Sequence, residues 1–243
     1  MKILVTTSNN YSFLLETYAH LFNKYWANQE IIFLGFNEPQ NISLPSNCSF
    51  HSLGKQEDFG TIWTDPLIPF IESLEDEYFM VTVEDMMLVS PVNLEKMALM
   101  ETEIKNGDAD KAVLDRHLNS SSLHYKPGLR KLGQYAEYRT TLHPSIWRKE
   151  YFQRYLKPGY TAWDFELKNM GESYTDRATI ITPDGDENVF EALNVYRKGV
   201  PIPRTDCPSP YGCHEDAIVD MKDIEMILSC VREHENEASV NEL

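Results

Sequence analysis

Two adjacent carboxylates, Glu84 and Asp85, end the apolar run of YFMVTVEDMMLVSPVN. A buried strand that stops at paired acids can hold a divalent cation at the carboxyl edge of a sheet, where α/β folds bind their ligands. The bland alternative is a solvated strand end. A second group follows the first apolar run: Thr6, Ser8, Asn9 and the ring of Tyr11, within TTSNNY. Such a set can recognise a nucleobase by hydrogen bonds and stacking, although Asn9 or Asn10 serves equally well as a helix cap. In TAWDFE, Thr161 with Asp164 resembles a capping box with Asp in place of Glu, and it sets Glu166 early in a helix. The helix dipole there favours an ionised carboxylate, which suits a general base rather than an acid. Cys207, Cys213 and His214 are close in sequence, but with no second ligand pair they make a poor zinc site.

The elements that must position these groups follow from periodicity. ILVTT reads as a strand, the next segment as an amphipathic helix with Leu14, Leu15, Tyr18, Leu21, Phe22 and Tyr25 on one face, and EIIFLGF as a second buried strand. This β-α-β opening predicts a parallel sheet with the Thr6 to Tyr11 loop at its ligand edge, and that loop lacks a GxGxxG fingerprint. CSFHSL is at most a short strand. Asp65 and Pro66 open a helix as cap and first residue, NLEKMALMETEIKNG is a helix stopped by Gly107, and KAVLDRHL is a strand. Residues 119–138 lack periodicity and are expected to form a long excursion near an acceptor site. TTLH reads as a strand edge, PSIWRKEYFQRYL as a helix and AWDFELKNMG as a second, short one. Met86, Met87, Met97 and Met100 are packing rather than a cofactor box.

The 243 residues are 42% apolar, enough for a single substantial core. A net charge of -16 and the lack of a Lys/Arg cluster argue against a nucleic-acid or anionic-membrane surface. A small phosphorylated ligand neutralised by one cation and a few basic groups stays open. The apolar run after Lys2 is too short for a signal peptide or a membrane span, and the four scattered cysteines suit reduced thiols, so the cytoplasm is expected.

The order of these segments carries a resemblance. A β-α-β start, VEDMMLVSPVN, LHPSIWRKEYF and then TAWDFE together resemble nucleotide-sugar glycosyltransferases of the GT-A fold. The likeness is to the small glycosyltransferase-like proteins of viruses, phages and bacteria, with paired acids after a strand and a Trp-x-x-Glu helix start. ALNVYRKGVPI is similar to a strand carrying an apolar-basic-Gly turn in that group, and the likeness spans Met1 to Pro203. The chain departs from the usual Asp-x-Asp or paired Asp by having Glu84 and Asp85 followed by two methionines.

The resemblance implies an α/β, GT-A-like, Rossmann-related single domain with a mostly parallel central sheet flanked by helices, over residues 1–215. Residues 216–243 are expected to add an amphipathic helix with Ile224, Ile227, Leu228 and Val231 on its apolar stripe, then a mobile acidic tail. Packing of that stripe on its own domain competes with homodimerisation.

It also implies a nucleoside-diphosphate-sugar donor, UDP being commonest, a glycan or other hydroxyl acceptor, and Mn²⁺ or Mg²⁺ held by Asp85. Glu84 would touch the ribose or the water shell of the metal, and His214 would be a late metal ligand, although an ordinary surface role competes. Glu166 would be the base of an inverting transfer, with Asp164 a cap or an acceptor ligand and Trp163 a sugar platform or a core anchor. Arg197 and Lys198 would neutralise diphosphate oxygens. For a viral source the compartment would be the host cytoplasm. Two alternatives are a sugar nucleotidyltransferase, whose Gly-rich basic loop TTSNNYSF does not provide, and a non-catalytic glycan-binding or structural protein.

Overall fold

The computed structural model describes residues 1–185, 188–197, 200–201 and 220–241. Its opening is the expected β-α-β unit: β1 (Ile3–Thr6), a 3-10 turn (Asn9–Leu14), α1 (Leu15–Tyr25) and β2 (Ile31–Gly35). β3 (Cys48–Ser52) pairs outside β2, and α2 (Gln56–Phe59) and α3 (Thr64–Ser73) return the chain to β4 (Tyr78–Val83) on the other side of β1. Then come β5 (Met86–Leu88), α4 (Leu94–Lys105), β6 (Lys111–Val113), β7 (Ser122–Lys126), β8 (Leu129–Leu132) and β9 (Ser145–Arg148). α5 (Lys149–Tyr155), α6 (Ala162–Leu167), α7 (Met170–Ser173) and β10 (Ile180–Pro183) complete the sheet and its cover. β11 (Ala192–Asn194) pairs with β5, β12 (Tyr196–Arg197) pairs with β13 (Val200–Pro201), and α8 (Met221–Asn241) closes the described chain.

The large sheet has nine strands in the order β3-β2-β1-β4-β9-β6-β10-β8-β7, and β9 and β8 run against the others. Alternation along each strand divides the core into two layers, as period-two side chains must. Ile3, Val5, Met80, Ala112 and Ile146 meet α1, α4 and α8 on one face. Leu4, Phe79, Val81, Val113 and Trp147 meet α3, α5 and α6 on the other. All four methionines expected as packing are buried. At the end of β2, a Cβ on Gly35 would lie 2.7 Å from the Phe50 ring and 2.8 Å from Thr7, so glycine lets that strand end close against the site.

Several local expectations are corrected. Ser145–Arg148 is a strand, not the start of a helix, because Ile146 and Trp147 face opposite cores while the backbone fills the gap between β4 and β6. The region from Asn119 is ordered as the β7-β8 hairpin on the sheet rather than as an excursion. KAVLDRHL pairs only through Val113, after which Leu114 bonds to Pro144 and the chain leaves the sheet. α3 starts one residue before Asp65, whose carboxylate accepts instead from Gly159 N. Asn9 caps no helix: its amide oxygen accepts from Asn37 N. Gly107, with φ 77°, ends α4 as expected. In α8, Ile224, Ile227 and Val231 are buried, and the helix runs to Asn241, into the stretch expected to be a mobile tail.

Candidate active site

In an open α/β sheet the ligand crevice lies outside the carboxyl ends of the strands where the winding reverses. Here that point is between β1 and β4, since the chain winds outward from β1 through β2 and β3 and then returns to β4. Thr6 and Thr7 end the first of these strands, and Glu84 and Asp85 follow the second. Glu84 N donates to Thr6 O at 3.3 Å, and Val195 N donates to Asp85 O at 2.8 Å, so backbone bonds fix both acids.

Glu84 is buried and makes no ion pair among the described residues, and neither does Asp85. Burial, aggravated by the charge of Asp85, raises the Glu84 carboxyl well above the usual range. Burial pushes Asp85 up to about 7, against the attraction of His143 and with repulsion from Glu166 adding to it. Desolvation, with the field of the same two acids, also raises the hydroxyl of Tyr11, which places that ring beside them. A buried and a partly buried carboxyl, neither in an ion pair among the described residues, are a donor set that suits a hard divalent cation.

The remaining expected residues are distributed unevenly. Glu166 Oε1 accepts from Leu142 N at 2.6 Å and from Thr141 Oγ1 at 3.1 Å, which ties it to the segment before His143, where its charge acts on Asp85 and His143. The capping box is present, with Thr161 Oγ1 accepting from Asp164 N and Asp164 accepting from Thr161 N. The other Asp164 oxygen pairs with Lys168 Nζ at 2.9 Å, so that carboxylate is already engaged. Trp163 is 61% exposed, while Phe165 is the buried anchor of α6, packed edge-on against Trp63 and Trp147. The Thr6 hydroxyl faces Thr82 O, Asn9 is spent on Gln56 and Asn37, and the Ser8 carbonyl closes the turn onto Tyr11 N. Arg197 lies in β12, while Lys198 and His214 lie outside the described residues.

The structure adds three residues that sequence reasoning missed. Asp115 follows β6 and His143 precedes β9; because β9 is antiparallel, its start lies at the same edge as the end of β6. His143 Nδ1 lies 2.7 Å from Asp115 Oδ2, and His117 Nδ1 contacts Asp115 Oδ1. The two imidazoles stack with centroids 3.8 Å apart. Among the described residues this is the one group of three or more able to hold a metal ion, with its ligand atoms within 4.8 Å of one another. Burial opposes ionisation of Asp115, yet the imidazoles hold its carboxyl well below the usual range. Burial lowers His117, whereas in His143 the charge and hydrogen bond of Asp115 overcome burial and raise it.

The signal was present as the D-x-H of LDRHL and the His before Pro144, but a strand reading of KAVLDRHL sends Asp115 and His117 along the sheet instead of off its end. The buried Lys111 ties these parts together. Its Nζ donates to Thr141 O at 2.7 Å and Arg139 O at 3.2 Å, holding the segment that carries His143 and supports Glu166. Desolvation keeps its pKa well below that of an ordinary lysine.

No protein-family model and no curated protein sequence matches the chain. Among solved structures, TarS 1-349 of S. aureus superposes with a TM-score of 0.50 at 12% identity, covering 78% of this chain and 58% of TarS 1-349. The galactosyltransferase LgtC, in complex with donor and acceptor sugar analogues, aligns at 15% identity and TM-score 0.42, covering 72% of this chain and 66% of LgtC. The bifunctional IspDF from Campylobacter jejuni aligns at 16% identity and TM-score 0.43, covering 80% and 52%. This chain thus spans about half to two thirds of the length of these structures. No helix of the described residues is long and apolar enough to cross a membrane. The central sheet, the switch point at β1 and β4 and the likeness to TarS together give this chain a GT-A-like, Rossmann-related α/β fold.

Proposed function

We propose that this protein is a metal-dependent glycosyltransferase, moving a sugar from a nucleoside-diphosphate donor, UDP-sugar being favoured, to a hydroxyl acceptor. The observation that carries the reading is the placement of Glu84 and Asp85 directly after β4, at the switch point between β1 and β4, with Glu166 near enough for its charge to act on Asp85. Asp85 would hold Mn²⁺ or Mg²⁺, with Glu84 at the ribose or the water shell. When bound, such an ion supplies Lewis-acid stabilisation of the departing diphosphate.

Glu166 would take the proton of the acceptor hydroxyl as that oxygen bonds to the anomeric carbon. The bond from that carbon to the diphosphate oxygen breaks with its electron pair, and nucleoside diphosphate leaves. Attack on the face opposite the leaving group inverts the anomeric configuration. Leu142 N and Thr141 Oγ1, by donating to Glu166, keep one oxygen fixed while the other receives the proton. The exposed indole of Trp163, on the same helix, would stack on the sugar or the acceptor. Tyr11 would face the nucleotide, and Arg197, Lys198 and His214 remain candidates for the diphosphate and the metal. A homodimer through α8 would need surface beyond the stripe that already packs on its own chain.

The test is incubation of the protein and Mn²⁺ with a panel of nucleoside-diphosphate sugars and glycan acceptors, following released nucleoside diphosphate and new glycoside. One donor giving both products supports the reading. Release of pyrophosphate from a nucleoside triphosphate and a sugar phosphate would point to a nucleotidyltransferase instead, and no product from any donor would point to a non-catalytic protein.

A further inference from the structure

We infer that Asp115, His117 and His143 form a site for a borderline divalent ion such as Zn²⁺, with a ligand set distinct from the Glu84 and Asp85 pair. The inference does not rest on the glycosyltransferase reading, because it follows from the chemistry of the three side chains.

Their ligand atoms lie within 4.8 Å of one another, drawn from two segments that the antiparallel pairing of β6 and β9 brings to one edge. Donors about 2.0–2.1 Å from a tetrahedral ion are a little over 3 Å apart, so side-chain adjustments suffice to seat it. Two imidazole nitrogens and one carboxylate oxygen are the composition of three-ligand zinc sites that keep a fourth position open. Magnesium, which prefers an all-oxygen octahedral shell, is a poor match for this set. The Glu84 and Asp85 pair itself offers only carboxylate oxygen, so the two ligand sets favour different ions.

A second observation separates this group from an ordinary buried hydrogen-bonded cluster. Nε2 of His117 is buried and makes no hydrogen bond, although nearly all buried polar atoms find a partner. The ring is therefore hydrogen-bonded through Nδ1 to Asp115 and stacked on His143, which leaves Nε2 free to meet an ion without breaking a hydrogen bond. An ionised Asp115 can only accept, so without an ion its two contacts call for a proton on Nδ1 of each ring. An ion accepting the lone pair of that nitrogen displaces its proton to solvent, and one accepting the lone pair at Nε2 leaves Asp115 behind the ring as its orienting carboxylate. In the first case all three residues are ligands, and in the second the imidazoles are ligands and Asp115 orients them.

The experiment is a calorimetric titration of the full chain, freed of metal by chelator, with Zn²⁺ alone at neutral pH and no nucleotide. The expected result is one equivalent bound, undiminished by millimolar Mg²⁺ and retained in Asp85→Asn. Losing the orienting partner of a metal ligand costs about 10- to 100-fold in affinity and losing a ligand at least as much, so His117→Gln and His143→Gln should each bind at least that much more weakly. Thermal melts check that these variants fold. Independently of any variant, Co²⁺ bound to the wild-type chain should give a visible d-d spectrum and paramagnetically shifted imidazole resonances from two histidines. Absence of a bound equivalent in the wild type, wild-type affinity in both folded histidine variants, or shifted resonances from fewer than two histidines would overturn the assignment. If donor binding failed while Zn²⁺ bound, the glycosyltransferase reading would fall and this site would stand.

Discussion

Glu166 Oε1 lies 2.6 Å from the backbone nitrogen of Leu142, so the carboxylate on α6 is tied to the segment that carries His143 into the sheet edge. A glutamine can still accept that hydrogen bond through its amide oxygen but cannot take a proton from an acceptor. Glu166→Gln is therefore expected to keep nucleotide binding and thermal stability while losing about 10²- to 10⁴-fold in transfer, the usual worth of a positioned base. Initial rates and nucleotide titrations on the same preparation check this. Full transfer by the variant would remove Glu166 from the mechanism.

Asp85 gives a pH dependence whose sign is fixed. Burial raises its folded pKa from the ordinary 3.8 to about 7, so the unfolded chain ionises first. Stability from this group is present below the unfolded value and is lost as pH rises from about 4 to about 7. In metal-free protein Asp85→Asn should nearly match the wild type near pH 4 and exceed it by up to about 4 kcal/mol near pH 8. Urea denaturation at the two pH values measures the difference. A variant less stable than the wild type at the higher pH would contradict the burial argument.

How much of this was legible in the sequence depends on which force set each part. The β-α-β opening, the strand ending at Glu84, the Gly107 stop and the Thr161 capping box are local, written in runs and caps that need no tertiary partner. Ser145–Arg148 was not legible as a strand because its helix-compatible pattern is overruled by pairing on both sides. Asp115, His117 and His143 escaped for a related reason: the residues are 28 apart or adjacent to an overextended strand, and only the reversed direction of β9 joins them.

Asp176 is a structural counterpart to the site acids. One of its oxygens accepts from Arg139 Nη2 at 3.1 Å and the other from the hydroxyls of Tyr151 and Tyr155, and both side chains of the ion pair are fully buried. Removing one member of such a pair strands the other charge, so Asp176→Ala should cost about 3–5 kcal/mol by denaturant unfolding. A loss below about 1 kcal/mol would mean that Arg139 finds other compensation.

Trp163 should behave in the opposite way. Its indole is 61% exposed, so Trp163→Ala should change stability by no more than about 0.5 kcal/mol. On the proposed role the acceptor KM rises severalfold while donor binding is unchanged. An unaltered acceptor KM would show that the ring is merely surface.

The most direct test of a nucleotide and metal site at the switch point is a thermal-shift panel of UDP, GDP, CMP and ADP, each with and without Mn²⁺, on the wild type and on Asp85→Ala. A ligand that binds only the folded state raises its melting temperature. The account predicts a shift with one nucleotide that requires Mn²⁺ and disappears in Asp85→Ala. A Mn²⁺-dependent shift that survives in the variant, or no shift with any nucleotide, would contradict it.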